Sequence, residues 1–239
     1  MESFDGKVAL ITGGSKGIGY GIAEALLNLN MRVAITSRTE ESAIQGAKSL
    51  TQIGKGKVLG LVADVRNYHS QEEAVNVVLE KWGQIDVLIA NAGIGHFGSI
   101  EDLTIDQWRE TIDTNLSGVF YSIKAALPAL KNSGGYVITI SSLAGTNFFE
   151  GGAAYNASKF GVTGMTQAIM LDLRNHGINV STIMPGSVAT NFNDHNPTDK
   201  DSWKIQKEDL GELVVSLLRM NPRTLPSKIE VRPSQPPKK

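Results

Sequence analysis

The sequence predicts an α/β fold, a doubly wound parallel sheet of about seven strands with helices on both faces. Three observations predict it. Short continuous apolar runs recur, beginning with Lys7 to Thr12 (KVALIT), and such runs are the signature of strands buried on both faces. Helical patterns alternate with these runs along the chain. Gly13, Ser37, Asp64, Asn91 and Ser142 each directly follow one of the runs. In a parallel sheet that is the carboxyl edge of the strands, where ligands bind.

Composition narrows the class. The 239 residues suit one large domain or two small ones and can bury a sizeable core. We expect a single domain over 1–232, with a substrate loop at about 187–207, and a Pro-rich tail at 233–239. The formal charge is −1 and no basic block occurs, which argues against nucleic-acid or polybasic membrane binding. The chain has no cysteine, so disulfides, a thiolate nucleophile and a Cys-ligated zinc are excluded, and no metal site is expected. No apolar run approaches the roughly 20 residues of a membrane span. The start, MESFDGK, lacks an apolar core of the signal-peptide kind. A cytoplasmic protein is expected.

Taken in order, KVALIT runs into GGSKGIG (Gly13 to Gly19), followed by helical periodicity from Tyr20 to Asn30. A strand, a glycine turn and a helix start form a site for a dinucleotide pyrophosphate. Glycines let the backbone approach it, and the helix N-terminus faces its charge. Ser15, Lys16 and Ile18 lie within that turn, between Gly13, Gly17 and Gly19. Met31 to Thr36 is the second strand. An acidic residue after it would hold the ribose 2′-hydroxyl of NAD, whereas an arginine accommodates the 2′-phosphate of NADP. Ser37 and Arg38 stand there, and Lys16 is a second cation, so NADP(H) is the expected cofactor. Val58 to Ala63 is the third strand, and Asp64 after it is placed either to bond the adenine amino group or to cap its own loop. Ser70 to Trp82 is a helix with Ser70 as N-cap and Glu73 three residues on.

Asp86 to Ala90 is the fourth strand and ends in Asn91-Ala92-Gly93, small enough for a ligand to lie against the backbone. Thr104 to about Leu130 is a long helical segment, interrupted near Gly118 and holding Asn115. Gly135 to Ser141 is the fifth strand and delivers Ser142. Ala153 to His176 is a helix rich in small residues, suited to close packing on the sheet or on a second copy. Ile178 to Met184 is the sixth strand, ended by Pro185-Gly186. The stretch from Ser187 to Lys204 is polar and irregular, a candidate lid. Glu208 to Met220 and Pro226 to Val231 are the last helix and strand, and the tail is expected to fray.

Tyr155 and Lys159 supply chemistry. Four residues apart on a helix, they share a face. A phenol has a free pKa of about 10, and a neighbouring ammonium lowers it. Tyr155 is then able to exchange a proton with a carbonyl or alcohol oxygen, while the Ser142 hydroxyl bonds the same oxygen as charge develops. Alone, such a pair is more simply a solvated helix face. The five strand-end positions at one edge raise it to a site. Substrate-pocket candidates are His96, Phe97, Phe148, Phe149 and Phe192, with core packing or a surface histidine as the plainer alternatives.

These residues together resemble the classical short-chain dehydrogenases/reductases, over about Lys7 to Val231. The resemblance rests on TGGSKGIG (Thr12 to Gly19), Asp64-Val65, Asn91-Ala92-Gly93, Asn115, Ser142, YNASK (Tyr155 to Lys159) and Pro185-Gly186 with Thr190. It implies a Rossmann-type sheet and a catalytic tetrad of Asn115, Ser142, Tyr155 and Lys159. Tyr155 is the implied acid or base, Lys159 the group that lowers its pKa and bonds the nicotinamide ribose, and Asn115 the holder of a relay water. Val188 and Thr190 are implied contacts of the carboxamide. Lys16 and Arg38 resemble the NADP(H)-preferring subgroup. The general look is closest to 3-oxoacyl-carrier-protein reductases and small-ketone reductases. Two departures are a short lid and a missing D-G-G-type ending, which bears on assembly; a homodimer or homotetramer is expected.

The function expected is NADPH-dependent reduction of a ketone or 3-oxoacyl thioester to an alcohol. Alternatives are an alcohol or sugar dehydrogenase working oxidatively, a non-catalytic NADP(H)-sensing protein, and an epimerase or dehydratase of the extended branch. The intact tetrad weighs against the sensor, and the want of a further C-terminal substrate domain against the last.

Overall fold

The computed structural model describes residues 3–235. Seven strands form one wholly parallel sheet in the order β3-β2-β1-β4-β5-β6-β7. They are β1 (Val8–Ile11), β2 (Arg32–Ser37), β3 (Val58–Val62), β4 (Val87–Ala90), β5 (Tyr136–Ile140), β6 (Asn179–Pro185) and β7 (Lys228–Val231). The helices are α1 (Gly17–Leu27), α2 (Glu40–Ile53), α3 (Tyr68–Trp82), α4 (Ile105–Ile112), α5 (Gly118–Ser133), α6 (Ala153–Leu173) and α7 (Lys207–Leu218). Each expected strand is present within two residues of its expected bounds. The helix α2 joins the expected set.

The first apolar run is continuous because the sheet is covered twice. Ala9 and Ile11 face a core with Ile22 and Leu26 of α1, Leu50 of α2 and Leu210 and Val214 of α7. Val8 and Leu10 face the opposite core with Val75 and Val78 of α3, Ile123 and Ala126 of α5 and Val162 of α6. Alternate side chains of one strand thus enter two different cores. Each fully buried Leu or Ile contributes roughly 1.5–3 kcal/mol. β1 pairs with both β2 and β4, so the order in which strands join the sheet reverses between β1 and β4, and a crevice opens beyond their ends. That crevice is where an open parallel sheet places a ligand.

One local expectation is corrected, and another is met and given its form. The N-cap of α3 is Asn67, not Ser70: the Asn67 side chain accepts from the Ser70 N–H at 3.2 Å. The Ser70 hydroxyl instead accepts from the Asp64 N–H at 3.2 Å and so braces the end of β3. The interruption before Gly118 is a π-helical turn over Asp113–Ser117, which rotates the register between α4 and α5. Gly118 is required there because a Cβ would lie 2.8 Å from Val65 Cγ2.

At the C-terminal edge β7 pairs with β6 as expected. Of the Pro-rich tail, Pro233 lies beside Gly186, and residues 236–239 fall outside the described residues. Among the described residues no helix is long and apolar enough to cross a membrane.

Candidate functional site

The glycine turn after β1 is tied to the end of β4. Gly13 (φ +64°) and Gly17 (φ +59°) occupy the left-handed region that favours glycine. The Asn91 amide donates to the carbonyls of Thr12 (2.9 Å) and Gly13 (3.0 Å). The Thr12 hydroxyl accepts from the backbone N–H groups of Asn91 (3.0 Å) and Ala92 (3.1 Å). Gly19 must be glycine, since a Cβ would sit 2.6 Å from the Asn91 amide nitrogen. The Asn91 side chain thus braces the turn, and the backbone of Asn91-Ala92-Gly93 is what remains to border a ligand. Thr190 approaches from beyond β6, its Cβ 3.5 Å from where a Gly17 side chain would begin. A bridge between Val188 and Ile205 holds that segment in place. The first-turn N–H groups of α1 have no partner within the helix, so a strand end, a bare-backbone cradle and a helix N-terminus meet as a pyrophosphate requires.

The neighbouring ends of β2 and β3 each deliver an arginine. Arg38 lies exposed, 3.6 Å from Glu110. Arg66 forks the Asp64 carboxylate, with Nε 3.0 Å from both oxygens and Nη2 2.6 Å from one, and reaches Glu110 at 3.4 Å. Hydrogen bonding from Arg66 holds the Asp64 carboxyl below its usual range. Asp64, expected to be available to an adenine amino group, is thus occupied by Arg66. His96 Nε2 lies 2.9 Å from the other oxygen of Glu110. Expected in the substrate pocket, His96 instead commits its ring to this carboxylate. Ser15 Oγ donates to Ser37 Oγ at 3.4 Å on the same rim. Sequence reasoning missed Arg66 and Glu110. Arg66 carried a signal, standing two residues after Asp64 at a strand end, but Glu110 on α4 carried none.

The centre of the edge holds Ser142, Tyr155, Lys159 and Asn115. Lys159 is buried and donates from Nζ to the Ile140 carbonyl at 3.0 Å. Its Nζ stands 5.6 Å from the Tyr155 ring centre and 3.6 Å from the place of a Gly93 Cβ. Asn115 is fully buried in the π-helical turn. It accepts from the Ile94 N–H at 2.8 Å and donates to the Ile94 carbonyl at 2.9 Å and to Ser158 Oγ at 3.0 Å. Asn115 thereby links the loop after β4 to α6. Asn156, not foreseen, donates to the carbonyls of Ala144 (2.8 Å) and Asn147 (2.7 Å), fixing the loop that carries Ser142 against α6.

Electrostatics differ from expectation at Tyr155. Burial pushes its phenol above the ordinary value, and the adjacent Ser142 hydroxyl pulls the other way less strongly. Burial lowers Lys159 to about 8. In the free protein the cost of burying a phenolate therefore exceeds any stabilisation of it.

Two phenylalanines pack on Tyr155, and a third packs on one of them. Phe97 is 5.3 Å from the Tyr155 ring centre and Phe192 5.9 Å; Phe149 is 5.8 Å from Phe97. Phe148, expected beside them, is 87 % exposed and makes no ring contact with the cluster. The loop after β6 is less irregular than its composition suggests. It folds around the buried Asp201, which accepts from Lys204 (2.6 Å), the Thr198 N–H (2.8 Å) and His195 (2.9 Å). Lys204 first, then these other donors, hold its carboxyl far below the usual range.

A parallel sheet with a glycine cradle at its switch point and a Tyr–Lys pair at the same edge defines a dinucleotide-dependent enzyme architecture. The chain belongs to the short-chain dehydrogenase family, whose model matches residues 7–201. It is 41 % identical over 189 residues to a trans-4-hydroxycyclohexanecarboxylate dehydrogenase of Sinomonas cyclohexanicum, covering 77 % of this chain and 73 % of that protein. It is 33 % identical over 236 residues to a putative ketoacyl reductase of Streptomyces coelicolor, covering 96 % and 89 %. The structure matches an alcohol dehydrogenase of Thermococcus sibiricus solved with 5-hydroxy-NADP, at TM-score 0.90 and 30 % identity, covering 98 % of this chain and 100 % of that one.

Proposed function

We propose that the protein is an NADP(H)-dependent oxidoreductase that reduces a carbonyl to an alcohol, with Tyr155 as the proton donor. The observation that carries this is the convergence of Ser142, Tyr155 and Lys159, from β5 and α6, beside Gly93 and the glycine cradle. NADPH, when bound, supplies the hydride. The backbone of Gly13 to Gly19 holds its pyrophosphate, and Asn91 keeps that backbone in shape. Arg38 and Lys16 meet the 2′-phosphate, and the Asp64-Val65 corner borders the adenine. The Thermococcus relative, solved with an NADP analogue, supports this preference. Pro185, Gly186, Val188 and Thr190 border the nicotinamide end.

In this reading Ser142 Oγ and Tyr155 Oη share one substrate oxygen. Ser142 polarises it by a hydrogen bond that strengthens as the oxygen gains charge. Tyr155 gives up its proton to that oxygen. The Lys159 ammonium, 5.6 Å from the ring centre, stabilises the phenolate left behind. Asn115, in the π-helical turn, keeps Lys159 and the loop after β4 in register and holds the water through which the proton is replaced. The same groups run alcohol oxidation in reverse, with Tyr155 as base. For assembly, exposed Phe120 of α5 and Phe160 and Leu171 of α6 support pairing of two copies through these helices.

The test is NADPH oxidation on a panel of an acetoacetyl thioester, a diketone, an aromatic aldehyde and a keto sugar, with NADH in parallel and Tyr155→Phe as blank. Tyr155-dependent turnover that favours NADPH is the expected result. Tight NADPH binding with no turnover on any member would favour a nucleotide-sensing role.

A further inference from the structure

Phe97, Phe149 and Phe192 come from three loops, after β4, β5 and β6. Each ring keeps a large exposed area, 45 %, 48 % and 38 % respectively, yet they cluster on one another and on Tyr155. Scattered surface aromatics need no explanation, but a contiguous cluster around a reactive phenol does. The rings are seated on bare backbone. A Cβ on Gly95 would lie 2.8 Å from both Phe97 Cζ and Phe192 Cζ, and one on Gly152 would lie 2.8 Å from Phe149 Cζ. Their tilts to one another and to Tyr155 run from 57° to 69°, so they meet edge-on or obliquely rather than stacked.

We infer that this cage selects small neutral carbonyl compounds whose C=O is on, or directly attached to, a six-membered alicyclic or aryl ring. The inference rests on the carbonyl-reduction reading and adds the substrate class to it. The Tyr155 phenol and the Ser142 hydroxyl bind one oxygen, and the apolar walls supply the remaining contact. A rigid ring covers those walls with little conformational entropy to lose. A thioester on a flexible amide-bearing arm would instead lay polar groups against the rings with no partner for them. In the reaction the carbonyl carbon takes the hydride of NADPH, which is oxidised, and the oxygen takes the Tyr155 proton, giving a ring-bearing alcohol.

The experiment measures binding and turnover of 4-methylcyclohexanone, acetophenone, hexan-2-one and an acetoacetyl N-acetylcysteamine thioester. Binding is followed by saturation-transfer NMR on the NADP⁺-loaded protein, and turnover by NADPH oxidation. Wild type, Phe97→Ala and Phe192→Ala are compared, with NADPH affinity and thermal melting as the check that each variant is folded. The ring ketones should exceed hexan-2-one by about tenfold in kcat/KM, the equivalent of one or two edge-to-face ring contacts, and the preference should collapse in both variants. Ring ligands that bind in a Phe97-dependent way without turnover would uphold the cage and overturn the reductase reading. Equal or better use of the linear ketone or the thioester would overturn the cage, even with Tyr155-dependent reduction intact. So would an equal loss on all substrates in the variants.

Discussion

The ammonium of Lys159 stands 5.6 Å from the centre of the Tyr155 ring and donates to the Ile140 carbonyl, and among the described residues it has no carboxylate partner. Burial draws Lys159 down to about 8 and moves Tyr155 upward. The pair is thus held in a strained electrostatic state that serves proton transfer at the expense of stability.

Lys159→Met should stabilise the fold while abolishing turnover. Between about pH 8 and the ordinary lysine value of 10.5 the unfolded chain keeps the proton that the folded chain has shed. Wild-type stability therefore rises with pH across that window, and the penalty is fully present below it. The variant lacks the penalty, which is about 3 kcal/mol at neutral pH. Urea melts at pH 7 and pH 10 should show the variant ahead at pH 7 and the difference narrowing at pH 10.

Reduction should be insensitive to pH from 6 to about 8 and decline above it. Tyr155 stays protonated throughout because its pKa is raised, whereas Lys159 loses its charge near 8. A kcat/KM profile at saturating NADPH reads this directly.

Glu110 lies 3.6 Å from Arg38 and 3.4 Å from Arg66, and so offsets part of the positive charge that faces a 2′-phosphate. Glu110→Gln should tighten NADPH roughly two- to fivefold, the scale of an exposed ion pair, and leave NADH unchanged. Arg38→Glu should weaken NADPH by at least about tenfold with little effect on NADH. Fluorescence titration of both cofactors, repeated at high salt to shrink the differences, checks both variants.

Asn156→Ala should cost about 1–3 kcal/mol, because the buried carbonyl of Ala144 and the partly buried carbonyl of Asn147 lose their donor. It should also lower kcat with NADPH affinity intact, since the loop it fixes carries Ser142. Denaturant melts and single-turnover rates test the two effects separately.

What was legible in the sequence was local. The strands announce themselves because each is buried on both faces, and Gly13, Gly17 and Gly19 because turn geometry and close approach exclude other residues. The Tyr155–Lys159 pair is legible through helical spacing. The parts that escaped depend on neighbours far away in sequence. Glu110 gains its meaning only when α4 is laid beside the ends of β2 and β3. Phe148 and Phe149 are adjacent in a loop, where no periodicity says which one turns inward. Asn91 stands at the expected edge, and its amide turns to the glycine turn, which no local pattern announces. The upward shift of Tyr155 is not legible in the spacing, because burial outweighs a cation one helical turn away.

The most direct measurement is Tyr155→Phe against wild type, with kcat/KM for carbonyl reduction and NADPH affinity taken on the same preparations. The expected result is a loss of turnover of about a thousandfold or more with NADPH affinity unchanged. Turnover retained within a few-fold in Tyr155→Phe would contradict Tyr155 as the proton donor.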